Sequence, residues 1–179
     1  MHSMVSKAIT FMATGLMALA PAFAVPVQST ITPQGSNLYT FSYTVNNETG
    51  QALQELSIYF DHQYYANLQL ISSPANWDPI VIQPDVFLYS DGFVDILALG
   101  TGLNPGGMLT GLSILARYSG PGMPGAQNFE FVDPDTFAVL SSGQTVAEIE
   151  PPPTDVDAPG TMLLAGLGMM ALTLSRRRR

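Results

Sequence analysis

Apolar and polar side chains alternate along "LYTFSYTVNN", residues 38–47, placing Tyr39, Phe41, Tyr43 and Val45 on one face and Thr40, Ser42 and Thr44 on the other. A strand buried on one side and wet on the other has that period of two. "LSIYF" repeats it, with Leu56, Ile58 and Phe60 set against Ser57 and Tyr59. Further strand stretches are "ANLQLIS", "DPIVIQ", "GFVDILAL", "MLTGLSILARY", "QNFEFV", "TFAVLS" and "QTVAEI". Between them stand turn-forming runs, "NNETG", "SSPANW", "SDG", "NPGG" and "SGPGMPG", and Trp77-Asp78-Pro79 and Val132-Asp133-Pro134 are a similar turn-like pair. No window between the two ends of the chain has the helical period. Some eight or nine short strands at this spacing predict an all-β fold, an antiparallel β-sandwich with a jelly-roll as the neighbouring alternative.

The pattern changes at both ends. At the start, Lys7 precedes an apolar run from Ala8 to Ala20 and then Ala22-Phe23-Ala24. Charged, apolar and small-residue regions in that order are those of a secretory signal peptide, residues 1–24, with cleavage expected after Ala24 and Val25 as the new first residue. At the other end, 18 uncharged residues from Ala158 to Ser175 are followed by Arg176, Arg177, Arg178 and Arg179. That length is enough for a transmembrane helix, and the arginines hold its end on the cytoplasmic side. "EIEPPPTDVD", residues 148–157, reads as a Pro-rich acidic linker. The sandwich domain is then expected over residues 25–147.

The C-terminal segment resembles the PEP-CTERM sorting signal of exported Gram-negative proteins, in which a short Pro-containing motif, an apolar helix and an arginine cluster follow one another. Ala158, Pro159, Gly160 and Thr161 stand at the motif, where the family typically shows Val-Pro-Glu-Pro; Pro159 and the small residues match, and the first Pro and the Glu do not. The resemblance implies processing by exosortase after signal peptidase, a transient stay in the inner membrane, and then the cell surface or extracellular space. It also implies an association with exopolysaccharide and biofilm. The body resembles a recurring all-β domain of such proteins through "SSPANWDPIVIQPD", "DGFVDILALG", "NPGG" and "DPDTFAVLSSG".

Charge sharpens the picture. Between residues 25 and 155, thirteen carboxylates face one basic side chain, Arg117, a formal charge of −12. Such a surface repels nucleic acid and attracts cations. There is no cysteine, which removes disulfides, thiol nucleophiles and thiolate metal sites. Past residue 24 the chain has a single histidine, His62, beside Asp61 in "YFDHQYY", and no lysine. His62 reads as a loop or strand-end residue beside aromatics, since a Ser-His-Asp triad would have no other base and no Gly-x-Ser-x-Gly elbow is present.

Calcium is the candidate cofactor, because hard divalent cations gather carboxylates and loop carbonyls. Its candidate ligands are Asp78, Asp85, Asp91, Asp95, Asp133 and Asp135, although Asp-Pro and Asp-Gly are also ordinary turn formers. Trp77, Tyr64 and Tyr65 are the candidate sugar-stacking aromatics. Tyr64 and Tyr65, being adjacent in an extended chain, point to opposite faces, so one at most is core. Asn47-Glu48-Thr49 matches a glycosylation sequon in an accessible turn and reads as a turn. The chain is thus expected to be an exported, non-enzymatic structural or adhesive protein. A glycan-binding or calcium-dependent adhesive module is the alternative. An enzyme would instead show a deep cleft with two carboxylates about 5–10 Å apart.

Overall fold

The computed structural model describes residues 27–151, and all of it is strand, turn and loop. In chain order the strands are β1 (Val27–Gly35), β2 (Leu38–Asn46), β3 (Glu55–Phe60), β4 (Tyr65–Ser72), β5 (Trp77–Ile82), β6 (Gly92–Ala98), β7 (Met108–Tyr118), β8 (Asn128–Val132), β9 (Val139–Gln144) and β10 (Val146–Ile149). They form two five-stranded sheets, β10-β1-β2-β7-β4 and β5-β6-β3-β8-β9, packed face to face, and neighbouring strands are antiparallel, as expected, except β1 and β10, which pair in parallel. The signal-peptide residues Ala22, Ala24 and Val25, the motif Ala158–Thr161, the apolar segment and Arg176–Arg179 lie outside the described residues.

Alternation decides which side chains meet between the sheets. β2 contributes Phe41, Tyr43 and Val45, β3 contributes Leu56, Ile58 and Phe60, β6 contributes Val94 and Ile96, and β7 contributes Leu112, Ile114 and Ala116. Phe41, Phe60 and Tyr65 meet edge to face at centroid distances of 5.8, 5.9 and 5.2 Å. Such pairs add about 0.5–1.5 kcal/mol each beyond the area they bury. In β7, two residues stand opposite one on β2 between Leu109 and Leu112. Gly111 sits in that bulge at φ +94°, a conformation a side chain would strain.

Four differences from the sequence pattern have physical causes. β1 has only Val27 and Ile31 as inward apolar residues, because its third inward position is Ser29. It also contains Pro33, tolerated because the β10 ladder ends at Ile31↔Ile149 and leaves no partner for an N–H there. Trp77-Asp78-Pro79 opens β5 and is not a turn, paired with Ala98, Leu97 and Ile96. The expected strand at Thr136–Ser141 begins only at Val139, since Asp133 draws Asp135 and Thr136 into a turn. The sandwich also extends beyond residue 147. Glu148 and Ile149 belong to β10, and the Glu150 N–H donates to the Ile31 carbonyl at 2.9 Å.

The sequon turn is not accessible as expected. Asn47 is buried, its amide donating to the carbonyls of Gln51 (2.8 Å) and Leu103 (2.7 Å) while its oxygen accepts from the backbone N–H and hydroxyl of Thr49.

Candidate binding site

The chemistry-bearing residues gather where β3 ends and β6 begins. Phe60 pairs with Gly92, so the turn after β3 and the loop before β6 lie side by side. The turn is closed by Asp61, whose carbonyl accepts from the backbone N–H of Tyr64 (3.1 Å) and Tyr65 (2.9 Å). Its Oδ1 accepts from the Gln63 N–H at 2.8 Å. This holds His62 against Asp91: the His62 backbone N–H donates to Asp91 Oδ1 at 2.9 Å, and its Nδ1 lies 2.6 Å from the same oxygen. Asp61 Oδ1 is 3.8 Å from Nδ1. Partial burial pushes the Asp91 carboxyl up, but the bonds from the His62 backbone and ring outweigh it and hold the group below its ordinary value. His62 is largely buried, and its Nε2 has no hydrogen-bond partner.

The loop from Pro84 to Asp91 is pinned from within. Asp85 and Ser90 exchange backbone hydrogen bonds of 2.9 and 3.0 Å, and Asp85 Oδ1 accepts from the N–H groups of Phe87 and Leu88. At its foot, the Tyr89 ring stands edge-on to His62, centroids 5.9 Å apart. Gly92 closes it where nothing larger fits, since a Cβ there would lie 2.5 Å from the Pro84 ring. The result is a stiff tip carrying Val86, Phe87, Leu88 and Tyr89 at 60, 93, 75 and 80% exposure. Tyr89 leans on His62, but three consecutive apolar side chains, Val86, Phe87 and Leu88, held in water have no folding rationale.

Beside the tip runs an open groove of about 400 Å³ lined by Tyr59, Asp91, Asn128, Glu130, Ser142 and Gln144. A recess of about 240 Å³ shares Tyr59, Asp91, Asn128 and Gln144 with it and adds Asp61, Tyr65 and Gln127. The Tyr59 hydroxyl donates to Glu130 at 2.9 Å, and burial together with that carboxylate pushes its pKa up to about 12. Gln127 is 3% exposed and ties the Thr145 corner between β9 and β10 to the start of β8. Its side-chain nitrogen is buried without a partner.

The six aspartates considered for calcium are dispersed. Asp85 accepts from N–H groups of its own loop, and Asp91 lies against His62, away from the other five. Asp95 lies on the outer face of β6, accepting from the Ser57 hydroxyl at 2.6 Å, and burial raises its carboxyl. Burial and then Asp95 raise neighbouring Glu55. Asp78 is on β5, while Asp133 caps the turn that contains Asp135. Among the described residues, the group that places three metal-binding side chains within 4.8 Å is Asp61, His62 and Asp91. The sequence pattern named only Asp91 of these as a ligand, because the contact depends on the Phe60↔Gly92 register, which no local spacing reveals.

The aromatic candidates separate as well. Tyr65 is core, packed on Phe41, Phe60 and Tyr118, and is not available for stacking on a sugar, whereas its neighbour Tyr64 is exposed. Trp77 is half-buried against the core, and β4 with its loop separates it from the Tyr64 end. The three form no common platform.

No family model matches the chain, and no curated protein matches it. Among solved structures it is similar to a cohesin module from a family 33 glycoside hydrolase of Clostridium perfringens, at 10% identity over 71% of this chain and 100% of that one, TM-score 0.39. It is similar to a GH20 exo-β-N-acetylglucosaminidase from Vibrio harveyi at 15% identity, covering 69% of this chain but only 18% of the enzyme, TM-score 0.35. A type I cohesin–dockerin complex from Clostridium thermocellum gives 12% identity, 70% and 99% coverage, and TM-score 0.34. Likenesses this distant say nothing of partner or activity.

Proposed function

We propose that the chain is an exported, non-enzymatic adhesive module of the bacterial cell exterior that docks through the Val86–Tyr89 tip. The observation that carries this reading is the tip itself: apolar side chains in water, on a loop already fixed by Asp85, Ser90 and Gly92. A loop ordered in advance loses little further entropy on binding. The domain around the tip carries twelve carboxylates against the single basic side chain Arg117 between residues 27 and 151, which favours a matrix protein whose apolar pocket is rimmed by Lys or Arg. On this reading signal peptidase and exosortase process the two ends, and the partner belongs to an exopolysaccharide-containing biofilm matrix. The test is retention of the purified chain on extracellular matrix from the producing bacterium. Protease treatment of the matrix should abolish it, and so should Phe87→Ser with Leu88→Ser. Retention unchanged by the tip substitutions would end the proposal.

A second reading is favoured by the groove, where Tyr59 offers an aromatic wall and Asn128, Ser142 and Gln144 offer polar groups of the kind that hold sugar hydroxyls. Retention that survives protease but is lost on Tyr59→Ala would select it.

A further inference from the structure

We propose that Asp61, His62 and Asp91 form a site for a borderline divalent transition cation of the zinc or manganese kind. The ligand atoms would be His62 Nδ1 and one carboxylate oxygen each from Asp61 and Asp91, which already lie within 4.8 Å of one another. Ligands about 2.0–2.1 Å from a tetrahedral zinc stand roughly 3.3 Å apart. The observed separations of 2.6 and 3.8 Å bracket that value, so small side-chain rotations suffice. One imidazole with two carboxylates suits zinc or manganese, whereas calcium takes six to eight oxygens.

Two further features fit a bound ion. Each carboxylate is oriented by a backbone N–H, from His62 onto Asp91 and from Gln63 onto Asp61, which is the kind of outer support that fixes metal ligands. Asp61 and Asp91 also line the 240 Å³ recess, whose wall includes Gln127, a 3%-exposed side chain with an unpartnered amide nitrogen. A metal-bound water filling the fourth position would find donors and acceptors there. The ion would join the β3–β4 turn to the foot of the tip loop. The inference rests on this geometry and does not depend on what the tip binds.

The test titrates the purified, chelator-stripped full chain with Zn²⁺, Mn²⁺ and Ca²⁺ separately, by calorimetry and thermal melting. One equivalent of Zn²⁺ or Mn²⁺ should bind and raise the melting temperature, with Ca²⁺ at least about tenfold weaker. His62→Ala and Asp61→Asn should each weaken binding by about tenfold or more, and Asp133→Asn should leave it unchanged. Asp61→Asn decides the matter if His62→Ala fails to fold, because an amide oxygen can still cap Gln63. No stoichiometric binding of either transition ion overturns the proposal, as does binding indifferent to Asp61→Asn, or calcium binding as tightly as zinc and manganese.

Discussion

Phe87→Ser separates docking from folding with unusual clarity. Phe87 is 93% exposed and its ring packs against no core residue, while the loop is held by Asp85, Ser90 and Gly92. Truncating it should therefore change stability by no more than about 0.5 kcal/mol, as for other surface positions. That is a melting shift of roughly 2 °C for a domain of this size. Its effect on adhesion should be far larger. A phenyl side chain carries about 150–250 Å² of surface, worth roughly 4–6 kcal/mol at 25 cal/mol/Å² if fully buried. Ordering and desolvation costs reduce this, and truncation of a central anchor typically costs about 2 kcal/mol or more. Retention on matrix should then weaken about thirtyfold, because every 1.4 kcal/mol is tenfold. The assay is a depletion isotherm of labelled chain on washed matrix, run beside a melting curve. Unchanged retention refutes the reasoning. So does lost retention accompanied by a large fall in melting temperature, which would show the tip to be part of the fold.

Three further outcomes follow from the same structure. Burial, offset only in part by the Ser57 hydroxyl, raises Asp95 above its ordinary value of 3.8, so folding favours the protonated form. The stability this lends is present below that value and is lost as pH rises through the folded-state value. Asp95→Asn should therefore melt above the parent at pH 7, with the gain vanishing toward pH 3.5; an equal gain at both pH values would contradict this. Asn47→Ala should cost about 2–4 kcal/mol in denaturant unfolding, since the carbonyls of Gln51 and Leu103 lose their donor in a buried turn. Gly92→Ala should reduce matrix retention and destabilise the domain together, because its Cβ meets the Pro84 ring and must displace the foot of the tip.

How far the molecule could be read from its sequence varied with what held each part in place. β2 and β3 were legible almost residue by residue, because apolar residues alternate along each and mark its buried face, whereas β7 was legible only as a strand, its alternation broken by the bulge before Leu112. β1 was not, since Ser29 takes an inward position through a buried polar contact with Gln127 and Pro33 disguises the strand end. Asp78-Pro79 carried two readings, a turn-like piece and the start of the strand stretch "DPIVIQ", and the strand is the one formed, because at the edge of a sheet a proline is tolerated. His62 was correctly placed at a strand end beside an aromatic, here Tyr89. Its partner Asp91, 29 residues away, was legible only as one of several aspartates. The site is made by strand pairing, and pairing is a property of the whole sheet.

The parallel pairing of β1 with β10 has a mechanical consequence. The described chain enters this ladder at Gln28 and leaves it at Ile149, at opposite ends of two strands running the same way. Tension applied between the two ends of the chain would slide β1 and β10 past each other and load their hydrogen bonds together, where a hairpin would open one bond at a time. A module pulled in this way would yield at a threshold and would not fray, with the four-residue length of β10 setting how high that threshold stands.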